Sequence, residues 1–339
     1  SFQVKSDSAE SGTILPMSLA DPVPSKRIKI LSWSVLWLTV AVVIGGALVR
    51  ATDSGAGCGE SWPICGGQFI PDVGNYHTAI EVSHRLMTGL LGFVLIALFV
   101  LVRRDFDKRH RLRRAVFAAG VLLIVESLLG ASLVLFGWVE FDASIARLIV
   151  VPLHLVNTFL LVGAMTLVAF FASGGRGFRI DTGKRRDQLV LIGLGIVLLI
   201  GATGALNALA DTLIQSDALA DTVPGEVQVT EPVLRQIRTI HPFVSIIGGL
   251  ALFMLVRYLA VGAGRTVRML ALGIQGIVWL QFFVGLLNIA LEVPLETQLI
   301  HLFVADVLWI AVVLLGSHLI GGTTDTPIGR PDKPVVESV

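Results

Sequence analysis

Hydrophobic positions along the chain gather into eight long runs, residues 29–50, 79–102, 115–137, 147–171, 188–210, 236–257, 269–291 and 298–319. Each is long enough, as a helix, to cross about 30 Å of hydrocarbon, and the stretches between them are short and polar. The charges in those stretches alternate. Lys26, Arg27 and Lys29 precede the first run, a basic cluster from Arg103 to Arg114 follows the second, and Arg176, Arg179, Lys184, Arg185 and Arg186 follow the fourth. The other loops are poor in lysine, and residues 211–234 carry Asp211, Asp217, Asp221, Glu226 and Glu231. By the positive-inside rule both termini are cytoplasmic and the loop at 51–78 faces outward.

Four histidines fall near the starts of even-numbered runs: His84, His154, His241 and His301. Those runs all cross from outside to inside, so the imidazoles share one depth near the outer face, within about the first two turns. The chain also repeats itself. Gly46-Ala-Leu-Val-Arg-Ala-Thr-Asp53 resembles Gly204-Ala-Leu-Asn-Ala-Leu-Ala-Asp211 at an offset of 158, His84 matches His241 at 157, Gly130 matches Gly285 at 155 and His154 matches His301 at 147. An offset that slips only in loops indicates duplication of a four-helix unit. The expected fold is an all-α polytopic membrane protein, with eight transmembrane helices as two tandem four-helix bundles in the same orientation. Its parts are a cytoplasmic tail 1–28, a first bundle 29–172 with the outer loop 51–78, a linker 173–187, a second bundle 188–320 and a tail 321–339.

Composition agrees: 54% of the 339 residues are hydrophobic, 15% are charged, and the mean hydropathy is +0.80. The net charge of +1 gives no support to nucleic-acid binding. The tail before Pro24 lacks the apolar core of a signal peptide.

Ionisable side chains inside an apolar span are costly and usually functional. In each half two imidazoles on helices of the same direction can ligate the iron of a flat macrocycle from both sides; a four-imidazole metal centre or a proton relay is the competing use. Arg50, Arg85, Arg147, Arg235 and Arg238 lie at the same depth, where they can pair with propionates or snorkel to the interface. The halves differ at one turn before the first histidine, where Glu81 stands in one and Arg238 in the other. Glu81 can relay protons or hold a polar intermediate, or it can simply pair with Arg85. Glu126 corresponds to Gln281, a pair that suits hydrogen bonding between helices. His110 and His318 suit interfacial positions, and His77 a solvated loop. The two cysteines, Cys58 and Cys65, lie in the outward loop. An oxidising face favours a disulfide over half of a zinc site, structural or redox-active.

These residues resemble the heme A synthase family, membrane enzymes that oxidise a methyl group of heme O to the formyl of heme A. The likeness covers about residues 29–320 and rests on Gly46-Ala-Leu-Val-Arg50-Ala-Thr-Asp-Ser-Gly, Cys58, Trp62-Pro-Ile-Cys65, Glu81-x-x-His84-Arg85, His154-Leu-Val-Asn157 and His301-Leu-Phe-Val-Ala-Asp306. It implies that His241 and His301 hold a resident heme b, that His84 and His154 face the substrate heme O, and that Glu81 is the required carboxylate. It further implies two successive hydroxylations with dioxygen or water as oxygen source. The implied partners are the synthase that delivers heme O, an electron donor such as a quinol or a ferredoxin-like protein, and the lipid bilayer; a homo-oligomer is compatible. The implied location is a bacterial plasma membrane, with the mitochondrial inner membrane second. Two rivals are a di-heme, quinol-linked electron-transfer cytochrome and a transporter. The cytochrome reading conflicts with the single depth of the histidines, because electron transfer across a membrane needs hemes near both faces. A transporter would be expected to show mid-membrane charges and broken helices.

Overall fold

The computed structural model describes residues 23–68, 71–140, 142–215 and 229–321. The tails expected from the sequence fall largely outside these residues, as do Asp217, Asp221 and Glu226. The described residues form eight helices: α1 (Lys26–Ala51), α2 (Tyr76–Asp105), α3 (Arg111–Leu135), α4 (Ile145–Ala172), α5 (Arg185–Gln215), α6 (Glu231–Leu259), α7 (Arg265–Ala290) and α8 (Leu295–Gly321). All eight are long and apolar enough to span a membrane.

Every helix begins two to five residues before its apolar run. For α1 to α4 the reason is side-chain capping, which hydropathy does not report. Ser25 accepts from the Ile28 N–H, Asn75 from the His77 N–H and Ser144 from the Arg147 N–H, while α6 follows Thr230 and carries Pro232 in its first turn. His84, His154 and His241 therefore sit deeper than expected, about two to three turns inside their helices, while His301 stays within the first two turns of α8. At its other end α5 runs on through Asp211 to Gln215, beyond the predicted stop at 210.

Within the first half α1 packs on α2, α2 on α3, α3 on α4 and α4 back on α1; α5 to α8 close in the same order. The halves meet through α4 on α5, α1 on α8 and α4 on α8. Exchanging the halves maps this set of neighbours onto itself, as duplication with a two-fold axis along the helices requires. The central helices α4 and α8 are the most buried, and at their crossing Trp309 stacks on Phe159 at 5.6 Å between ring centroids and donates its Nε1–H to the Phe159 carbonyl at 2.5 Å. A side chain at Gly163 would strike that indole, with a Cβ only 3.2 Å from Nε1.

The large apolar core occupies one end of the molecule. It draws on residues 28–42 of α1, 91–102 of α2, 252–256 of α6 and 267–278 of α7, all toward the end that carries the basic loops. The histidines lie toward the other end, where the packed core is a small cluster of Ala143, Leu209, Ala210, Leu213 and Leu234.

Candidate heme-binding sites

Each of the four imidazoles rests against a glycine on the preceding antiparallel helix. A Cβ at Gly46 would lie 3.1 Å from the His84 ring, one at Gly204 3.1 Å from His241, one at Gly285 3.2 Å from His301, and one at Gly130 3.7 Å from His154. The repeated glycines are thus the seats of the repeated histidines. The four rings form two pairs. His241 and His301 have ring centroids 6.4 Å apart, and His84 and His154 lie within electrostatic reach of each other. Among the described residues no three His, Cys, Asp or Glu side chains converge as a metal site.

A metal between His241 and His301 is compatible with that separation. Two metal–imidazole bonds of about 2.0 Å, plus about 1.2 Å from each ring nitrogen to its centroid, come to roughly 6.4 Å. The donor chemistry fits as well. The buried Nδ1 atoms of His84 and His301 make no hydrogen bond among the described residues, and His241 Nδ1 lies 3.2 Å from the Thr203 hydroxyl, a partner able to fix its tautomer. Pro152 and Pro242 lie beside His154 and His241 without breaking α4 or α6.

Around the first pair, Glu81 is buried at 3% exposure, and its Oε2 accepts the Cys58 N–H at 2.8 Å. Its Oε1 accepts from Arg85, whose guanidinium also donates to the Ser61 carbonyl at 2.8 Å. The pairing with Arg85 is thus present, and with it a contact that spacing could not show: the carboxylate grips the cysteine loop. Cys58 and Cys65 are disulfide-bonded, with Cα atoms 4.7 Å apart. The loop lies so close to α2 that a Cβ on Gly57 would be 2.6 Å from the His77 carbonyl carbon, and Thr78 donates to the Gly57 carbonyl at 2.7 Å. His77 itself is tied to the Ser54 hydroxyl at 3.1 Å.

The other arginines are also engaged. Arg50 reaches from α1 into the second half, donating to the Ala208 carbonyl (2.8 Å), the Thr212 hydroxyl (2.7 Å) and Gln298 Oε1 (2.9 Å). Arg238 pairs with Asp211 at 2.6 Å, and Asn207 donates to the same carboxylate at 2.8 Å. Arg147 donates to the carbonyls of Glu140 and Asp142. Arg235, at the rim, pairs with Glu231. Just beyond α1, burial raises the Asp53 carboxyl above its ordinary range, opposed by Arg147, Arg50 and His77. Arg85 and Arg238 stand within a turn of His84 and His241, and Arg50, Arg147, Arg235 and Asp53 lie near the helix ends that the histidines are closest to.

Residues 29–313 match the family model described as COX15-CtaA, cytochrome oxidase assembly protein. The chain belongs to this family. It is also similar to a protein of Thermus thermophilus named protoheme IX farnesyltransferase, at 36% identity over 308 residues, covering 90% of this chain and 50% of that protein. Over shorter stretches it is similar to the heme A synthases of Geobacillus thermodenitrificans (41% over 114 residues, 33% of this chain and 36% of that one) and Alkalihalophilus pseudofirmus (40% over 112 residues, 33% and 38%). The chain spans about half the length of the Thermus relative and less of the others. As a member of the family it is a multi-pass membrane protein, and its shared stretch contains all four histidines, Glu81 and both cysteines.

For one residue of the first site the sequence indicates only an interhelical role. Glu126 of α3 does bridge to α4, accepting from Asn157 Nδ2 at 2.6 Å and from the Thr158 hydroxyl, but it also stands 3.2 Å from His154 Nδ1. Its repeat position, opposite Gln281 near His301, is the signal that it faces a histidine. Asp306 of α8 is fully buried, and neither carboxyl oxygen has a hydrogen-bond partner among the described residues.

Proposed function

We propose that this protein is a heme A synthase, which oxidises a methyl group of heme O to a formyl group, with heme O held in the first half between His84 and His154. The observation that carries the reading is an asymmetric duplication. Two glycine-seated histidine pairs occur in a chain of this family, and only the first has a buried carboxylate, Glu81, one turn from a ligand. Heme b would be held by His241 and His301, with Arg238 and Arg50 at its mouth, and when bound it supplies electrons to the first half.

The residues of the first half then have separable tasks. His84 and His154 hold the substrate by its iron and so fix which ring edge faces Glu81. Glu81, pinned by the Cys58 N–H and Arg85, keeps its oxygens in place to move protons and to hydrogen-bond the hydroxyl that forms on the substrate methyl. The disulfide loop covers this end and excludes water from the reacting edge. With dioxygen as source, each hydroxylation puts one oxygen atom into a C–H bond and releases the other as water, consuming two electrons and two protons. The second hydroxylation leaves a gem-diol, which loses water to give the aldehyde.

The charge pattern supports a topology with both termini cytoplasmic and the histidines toward the outer face, and the membrane is read as a bacterial plasma membrane. Heme O would come from a prenyltransferase partner, a reading supported by the likeness to a Thermus protein named for protoheme IX farnesylation. The test is to express the chain in cells that make heme O but no heme A and to weigh the extracted hemes. Appearance of heme A or its hydroxymethyl precursor is the expected result. Unchanged heme O together with heme b in both halves would make the protein an electron-transfer cytochrome instead.

A further inference from the structure

Glu126 and Gly130 lie one turn apart on α3, and together they flank the His154 ring. Gly130 faces its Nε2 and Cε1 edge, and Glu126 Oε1 stands 3.2 Å from Nδ1. The carboxylate is held in place by two donors from the next turn of α4, Asn157 Nδ2 at 2.6 Å and the Thr158 hydroxyl, and Asn157 is itself fixed by donating to the Leu122 carbonyl at 3.0 Å. Its remaining direction is toward the imidazole. At 3.2 Å the contact is close but is not a hydrogen bond, and the broad final torsion of histidine is the one whose rotation would align it.

The second half has the same frame with the opposite polarity. Gln281 and Gly285 lie one turn apart on α7 and flank His301, but Gln281 presents its NH2 group, donating to the His301 carbonyl at 3.0 Å and lying 3.3 Å from His301 Nε2. An anionic acceptor therefore stands beside the ligand ring in one half and a neutral donor in the other. A carboxylate that takes the N–H of a ligating imidazole fixes its tautomer and makes its other nitrogen a stronger donor to the metal.

We infer that Glu126 is a positioning residue of the first site, taking the Nδ1–H of His154 so that Nε2 is presented to the substrate iron as a more electron-donating ligand than His301. This rests on the reading of His84 and His154 as heme ligands. The strongly donating ligand stabilises oxidised iron, so the first-site heme has the lower reduction potential of the two, and the difference is written in the Glu126/Gln281 pair.

The experiment is redox and binding titration of the full-length purified protein in detergent, loaded with hemin as the probe. In the Glu126→Gln variant, hemin affinity at the first site is expected to fall roughly 10–100-fold, the range for loss of an outer-shell partner. The potential of that heme rises while that of the second heme stays, which also reports an intact fold. Native affinity and potential in this variant would overturn the inference. Should Glu126→Gln fail to retain the second heme, Gln281→Glu decides: a lowered potential of the second heme supports the inference and an unchanged one overturns it. If hemin binding to the native protein is indifferent to His84→Ala, the heme reading of the first site itself fails, and this inference falls with it.

Discussion

The two halves share a frame and differ in what surrounds it. In the first, the histidine-bearing helices α2 and α4 carry Glu81 and face Glu126, and a disulfide loop is bonded to the first of these carboxylates. In the second, the corresponding positions are Arg238 and Gln281; Arg238 is neutralised by Asp211, and the imidazoles have only hydroxyl and amide neighbours. Duplication fixed the glycine seats and the imidazoles, and divergence placed a carboxylate against an imidazole, Glu126 beside His154, where the second copy has Gln281 beside His301. A site that only passes electrons needs a stable, neutral surrounding. A site that hydroxylates needs groups that accept protons near the reacting edge.

The largest effect expected from breaking this comparison is at the resident site. On the proposed assignment of His241 as an iron ligand, His241→Ala should abolish the bis-imidazole absorption of bound heme b, read in the visible spectrum of the purified protein. Next comes Glu81→Gln, expected to lower the yield of oxidised heme by about 10²-fold or more, the scale of a lost general acid–base, while heme b stays bound. Mass analysis of extracted hemes reads both. The glycine seats sharpen the comparison because they are equivalent. Gly204→Val should weaken heme b binding by about 10-fold through displacement of His241, whereas Gly46→Val should leave heme b in place and lower turnover. A smaller effect is expected where the halves join. Arg50→Ala removes three hydrogen bonds across the interface and should cost about 1.5–3 kcal/mol, seen as a lower thermal midpoint in detergent. Cys58→Ser should destabilise the loop by about 2–3 kcal/mol, given the 7-residue separation, and affect the first half alone.

Much of this is legible without the fold. Span count and the repeat offset follow from hydropathy and spacing, because a bilayer forces helices of fixed length. The tandem bundles follow from four spans per repeat. What spacing cannot show is lateral contact. Arg50 sits in a motif of the first half, yet its partners are Ala208, Thr212 and Gln298 of the second, because α1 packs on α8, and its arginine reaches α5, only when the halves are assembled. Expected to meet propionates, Arg50, Arg147 and Arg238 all have protein partners, which propionates would have to join. Hydropathy misplaces the helix starts by a few residues because side-chain caps lie in polar sequence. The role of Glu126 beside His154 is hidden for a related reason: sequence gives the helix face but not the neighbour across from it.

The central claim is that reaction and electron supply are divided between the halves. It is tested most directly by comparing the native chain with His84→Ala and His301→Ala in cells making heme O, measuring both the hemes extracted from membranes and the heme retained by each purified protein. His84→Ala should lose heme A and its hydroxylated precursor while keeping heme b, and His301→Ala should lose bound heme b. Oxidised heme formed at native levels by His84→Ala, or heme b retained unchanged by His301→Ala, would contradict it.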